Sequence, residues 1–193
     1  IGPGVHLFTP TGILDDTWVH RTYWVWGRAY SGGAGGYSQA GKHTPCGQIL
    51  AIDDANVYGF GRKQQYYAWT RPKENILFST SNTNAFNLTN PYNWTNTLPF
   101  FVKAMVVAGD KLFIAGPPDV EDEAVSYASL NDAQTQANLA AQDAALNGTL
   151  GGQFRVVDKA TGATLAMRDI DWLPAWDGMI AAKGGLYVAT RDG

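Results

Sequence analysis

Apolar and polar positions alternate in short runs along most of this chain, and one pattern of runs occurs three times. The copies are residues 49–61 (ILAIDDANVYGFG), 104–116 (AMVVAGDKLFIAG) and 178–190 (GMIAAKGGLYVAT). Each reads as a short apolar strand, a tight turn rich in Asp or Gly, and a second apolar strand with an aromatic at its second position. Asp and Gly supply the backbone conformations that two-residue hairpins require. The aligned aromatics are Tyr58, Phe113 and Tyr187, separated by 55 and 74 residues. The third copy extends upstream: 154–157 reads as a strand, 158–162 as a turn and 164–170 as the return strand. Gly162 suits the left-handed position of that turn.

One stretch breaks the pattern. Residues 130–146 are rich in Ala, Gln and Leu, which favour helix. Asn131 or Asp132 can cap the start, and Gly148 can close the end. Residues 117–152 hold six acids and no Lys or Arg. The rest of the chain then has 11 acids against 14 bases. An acidic helical insertion at about 119–148 in an otherwise β chain follows. Without its roughly 30 residues the second repeat spacing falls to about 45, near the period of a four-stranded propeller blade. The expected fold is all-β: a partial β-propeller of roughly four blades. The run Arg191-Asp192-Gly193, a turn with no strand after it, leads us to expect a chain cut inside a blade. The expected partner is the remainder of the same propeller or another protein chain.

Composition narrows the classes. Of the 193 residues, 12% are aromatic, 22 are Gly and only 16% are charged. That favours strands and turns and opposes intrinsic disorder. A formal net charge of -3 removes nucleic-acid binding by bulk electrostatics. A single cysteine, Cys46, excludes an internal disulfide and a multi-cysteine zinc site. No apolar run is long enough to form a transmembrane helix.

The stretch Val157-Asp158-Lys159-Ala160-Thr161-Gly162, with Gly185-Leu186-Tyr187-Val188-Ala189-Thr190-Arg191-Asp192-Gly193 after it, resembles the PQQ-like (quinoprotein) β-propeller repeat. Residues 6–12, 14–27 and 57–64 are similar to a subgroup of large, secreted bacterial propeller proteins. The resemblance implies a propeller of PQQ-like four-stranded blades in a periplasmic or extracellular protein. Quinoprotein dehydrogenases carry a blade-docking repeat of the form Ala-x-Asp-x-x-Thr-Gly-x-x-x-Trp. Asp158, Thr161 and Gly162 match its turn, while Val156 and Ala166 stand where its Ala and Trp would be. Those enzymes hold the quinone with calcium and vicinal cysteines, which lone Cys46 cannot provide. No cofactor is therefore predicted; PQQ and calcium belong to the quinoprotein alternative.

Candidate chemistry concentrates in residues 18–26 (WVHRTYWVW). Strand alternation places His20, Trp24 and Trp26 on one face and Arg21 on the other. With Tyr30 beyond them, His20, Trp24 and Trp26 are the candidate ligand-binding set. The competing reading is a strand whose rings pack between blades. Arg21 is expected in a structural ion pair with Asp15 or Asp16, because a buried guanidinium needs a partner. The Gly-rich run 31–41 reads as a loop, since Lys42-His43-Thr44-Pro45 cannot open a phosphate-binding helix. Residues 75–102 carry Asn and aromatics with no charge and read as a long loop plus an edge strand. No metal-ligand spacing and no catalytic triad order is found. The expected function is a non-enzymatic interaction or scaffold surface outside the cytoplasm. The alternatives are a fragment of a quinoprotein dehydrogenase and a carbohydrate-binding propeller.

Overall fold

The computed structural model describes residues 6–8, 24–27, 45–62, 75–82 and 92–193. Its described strands form four antiparallel sheets, and the chain divides into two compact units, 1–97 and 98–193. The all-β class is thus met.

The first unit holds two sheets. One orders β1 (His6–Phe8), β2 (Trp24–Gly27) and β3 (Cys46–Gly47). The other is a meander of β4 (Ile49–Ile52), β5 (Asn56–Arg62), β6 (Asn75–Ser81) and β7 (Trp94–Asn96). β4 and β5 form the first repeated hairpin, with Ala51 opposite Tyr58. Tyr58 and Phe60 of this hairpin and Leu77 and Phe78 of β6 are buried. The uncharged stretch expected to give a loop and an edge strand differs: β6 is an inner strand, paired on both sides, and only β7 is an edge. Its alternation is hidden because Ile76 through Thr80 are all buried.

The second unit repeats the plan. β8 (Ala104–Ala108), β9 (Lys111–Gly116), β10 (Gly152–Asp158) and β11 (Thr164–Ile170) form a second four-stranded meander. β12 (Pro174–Ala182) and β13 (Gly185–Thr190) form a two-stranded sheet, with β12 running beside β8. The second and third repeated hairpins are therefore β8–β9, with Val106 opposite Phe113, and β12–β13, with Ile180 opposite Tyr187. Gly116 permits a close approach: a Cβ there would lie 1.7 Å from the Phe101 carbonyl oxygen.

Between β9 and β10 lie two helices, α1 (Glu123–Ala128) and α2 (Ala133–Leu146). Asp132 caps α2 by accepting hydrogen bonds from the Gln134 and Thr135 amides. Asn147 ends α2, and Gly148 follows at a φ of 97°. Leu130 and Asn131 precede α2 rather than opening it, because the Asp132 cap fixes its start. Gln142 anchors the helix: its amide oxygen accepts from Val120 and Glu121 amides, and its nitrogen donates to the Pro118 carbonyl.

Candidate interaction face

The third hairpin turns through Lys183 and Gly184, both at positive φ (51° and 78°). Two left-handed residues give the turn whose twist matches the strands it joins. Register then sorts the side chains. Met179, Leu186 and Val188 share one face, which packs on Ala104, Ala115, Val106 and Phe113 of the second hairpin. Ile180 and Tyr187 lie opposite each other on the other face and are 61% and 56% exposed.

The repeat gives this face its meaning. Aligning Phe113 with Tyr187 places Val106 on Ile180 and Ala115 on Ala189. So the residues of the second hairpin that receive the third are the counterparts of those the third leaves in solvent. In the first hairpin the counterpart Tyr58 is fully buried.

A β-bulge interrupts β12 between Pro174 and Met179. Within it, Asp177 takes a φ of 54° and its amide donates to the Lys103 carbonyl at 2.8 Å. The Lys103 ammonium sits 5.2 Å from the Trp176 ring centroid. Burial pushes the Asp177 carboxyl above its usual range. The bulge thus ties β12 to the segment leading into β8, and so fixes which face of the hairpin points outward.

The turn singled out by the resemblance is well formed. Asp158 Oδ1 accepts from the Ala160 amide, the Thr161 amide (2.8 Å) and the Thr161 hydroxyl (2.8 Å). These bonds, the Thr161 hydroxyl foremost, hold the Asp158 carboxyl below its usual range. Gly162 sits at a φ of 79° and returns its amide to the Asp158 carbonyl. Ala166, in the position of the docking repeat's Trp, is exposed on β11.

Of the aromatic strand, the structure describes Trp24 and Trp26. Val25 between them is fully buried, and both tryptophans are half-buried. The Trp26 indole nitrogen donates to the Asn82 carbonyl. Asn82 in turn donates to the carbonyls of Asp53 and Asp54. Asp53 accepts from the Ala55 and Asn56 amides and from the Tyr58 hydroxyl. Asn93 extends the chain by donating to Asn56 Oδ1. This network closes the tip of the first hairpin with side chains from within the first unit. Asp15, Asp16, His20, Arg21 and Tyr30 lie outside the described residues, as does the Gly-rich run 31–41.

Elsewhere in the second unit, Asn147, Gly148, Asp171, Trp172, Leu173, Arg191 and Asp192 line a polar cleft of about 170 Å³. That is below the size of typical small-molecule sites. The Arg191 guanidinium donates to the Leu146 carbonyl at the end of α2. Asp119, with one buried carboxylate oxygen lacking a hydrogen bond, has its pKa pushed up to about 6 by burial, with Asp122 and Glu121 adding to the rise. Among the described residues no group of three His, Cys, Asp or Glu could hold a metal ion. No described helix is long and apolar enough to cross a membrane.

The exposed Ile180–Tyr187 face was not among the expected site residues. Its signal was present in the sequence: the register of three aligned hairpins assigns faces residue by residue. The Asp177 bulge left no such signal. No protein family, curated protein or solved structure matches the chain.

Proposed function

We propose that this chain is a run of PQQ-like propeller blades that serves as a non-enzymatic interaction scaffold outside the cytoplasm. The observation that carries this reading is the repeated build. Two four-stranded meanders each start from the same hairpin pattern, and a third hairpin stacks on the second. That third hairpin turns Ile180 and Tyr187, side by side, to solvent. Exposed apolar sheet faces of this kind mark places where another surface docks. The extracytoplasmic setting follows from the resemblance of residues 6–12, 14–27 and 57–64.

The test uses the full chain. A photo-crosslinking amino acid at position 187, irradiated in the extracytoplasmic fraction of the producing cell, should give a discrete protein adduct. The same group at exposed Ala160 should not. Equal or absent labelling at the two positions overturns the scaffold reading. Titration with PQQ and calcium, followed by absorbance and calorimetry, should show no saturable binding. A stoichiometric quinone complex would replace this reading with the quinoprotein one.

A further inference from the structure

The geometry points to β13 as an acceptor edge, built to pair with one antiparallel strand of a partner and extend the two-stranded sheet. The partner chemistry is an extended segment with a small residue facing Tyr187 and a large apolar residue facing Ala189. This rests on the repeat reading given above.

The other two hairpins supply the precedent. In each, the second strand pairs with a third: β5 with β6 and β9 with β10. The registers agree. Tyr58 lies opposite Ser79 and Phe60 opposite Leu77; Phe113 lies opposite Val156 and Ala115 opposite Phe154. Carried onto the third hairpin, this register sets a residue like Ser79 or Val156 against Tyr187 and one like Leu77 or Phe154 against Ala189. β13 has no such third strand among the described residues.

The chemistry of the edges makes the same point independently. Proteins blunt free sheet edges with short strands, charges or irregular pairing. β1 and β7 are each three residues long. β11 carries Arg168 and Asp169, and its pairing is irregular at Val156 and Val157. β13 (GLYVAT) is six residues long and carries no charge and no proline, and the bulge in its pairing lies on β12. Backbone hydrogen bonds along such an edge supply affinity, and alternate side chains supply the register.

The probe is a capped peptide with the β10 sequence, residues 152–158 (GQFRVVD). It is added to the full chain, and amide hydrogen exchange is followed by NMR. The expected result is saturable protection of alternate amides within Gly185–Thr190, absent with a scrambled peptide. Tyr187→Lys, at an exposed position, should weaken binding at least tenfold while the melting temperature holds. If that variant fails to fold, a peptide with Pro in place of Val156, the residue set against Tyr187, should lose the protection instead. Lack of protection at millimolar peptide, or protection confined to other strands, overturns the inference. So does β13 protection that rises with protein concentration without peptide, which would assign the edge to a second copy. Cross-strand contacts in the same spectra separate the two readings. Three equivalent hairpins without peptide binding end the inference alone, whereas inequivalent hairpins end both.

Discussion

The second and third hairpins share one pattern of residues and meet different fates. Phe113 lies beside Phe154 at 6.3 Å between ring centroids and receives the third hairpin over its face. Tyr187, its counterpart, stands 56% exposed. Local sequence therefore specifies the hairpin, its turn and its register, whereas burial depends on whether a neighbour arrives. The aromatic at this position is covered by a neighbouring hairpin in one case and left in solvent in the other.

Substitutions can break that comparison. The largest effect should come from Gly116→Ala, which drives a methyl into the Phe101 carbonyl, a backbone group that cannot swing aside. Overpacking of this kind costs about 3 kcal/mol, measurable by urea denaturation. Met179→Ala, which empties the contact between the hairpins, should cost about 2–3 kcal/mol. Tyr187→Ala should cost less than about 0.5 kcal/mol. If Tyr187→Ala proves as damaging as Met179→Ala, the outward face is covered in the purified protein, and the contrast between hairpins fails.

Two carboxyl groups sharpen the picture through pH. The folded Asp119 carboxyl has its pKa raised to about 6, so the native state binds its proton more tightly than the unfolded chain. Its contribution therefore makes stability fall as pH rises from about 4 to about 6. Asp119→Asn should remove that slope and raise the melting temperature at neutral pH, with little change in acid. Asp158 behaves in the opposite sense. Its lowered pKa adds stability above the usual carboxylate range, lost as pH falls below it. Asp158→Ala should lower the melting temperature modestly at neutral pH, and less in acid.

Much of the fold was legible because hairpins are local. The three repeats, the strand pair around Asp158 and the cap at Asp132 are each specified by residues within one turn of each other. β6 is hidden as an inner strand because a strand buried on both faces loses its alternation, leaving a short apolar and hydroxyl run at the head of an uncharged stretch. The candidate face needed one further step, sorting residues by register, since Ile180 and Met179 are equally apolar yet point to opposite sides. Asp177 was beyond reach, because its amide answers the Lys103 carbonyl, which lies 74 residues away in the segment leading into β8. Asp119 likewise owes its raised pKa to burial in the tertiary fold.

The helices between β9 and β10 have a consequence for the order of assembly. Gly116 and Gln153 are paired neighbours in the sheet, yet residues 117–152 separate them along the chain. The hairpins β8–β9 and β10–β11 close over short turns, whereas β9 meets β10 only after a long loop has closed, which is the slower event. The second sheet should therefore form as two hairpins that zip together late. Pulse-labelled exchange should show the β9–β10 hydrogen bonds acquiring protection after those within each hairpin. Shortening residues 117–152 to a tight turn should speed that final step more than it changes the rate of unfolding.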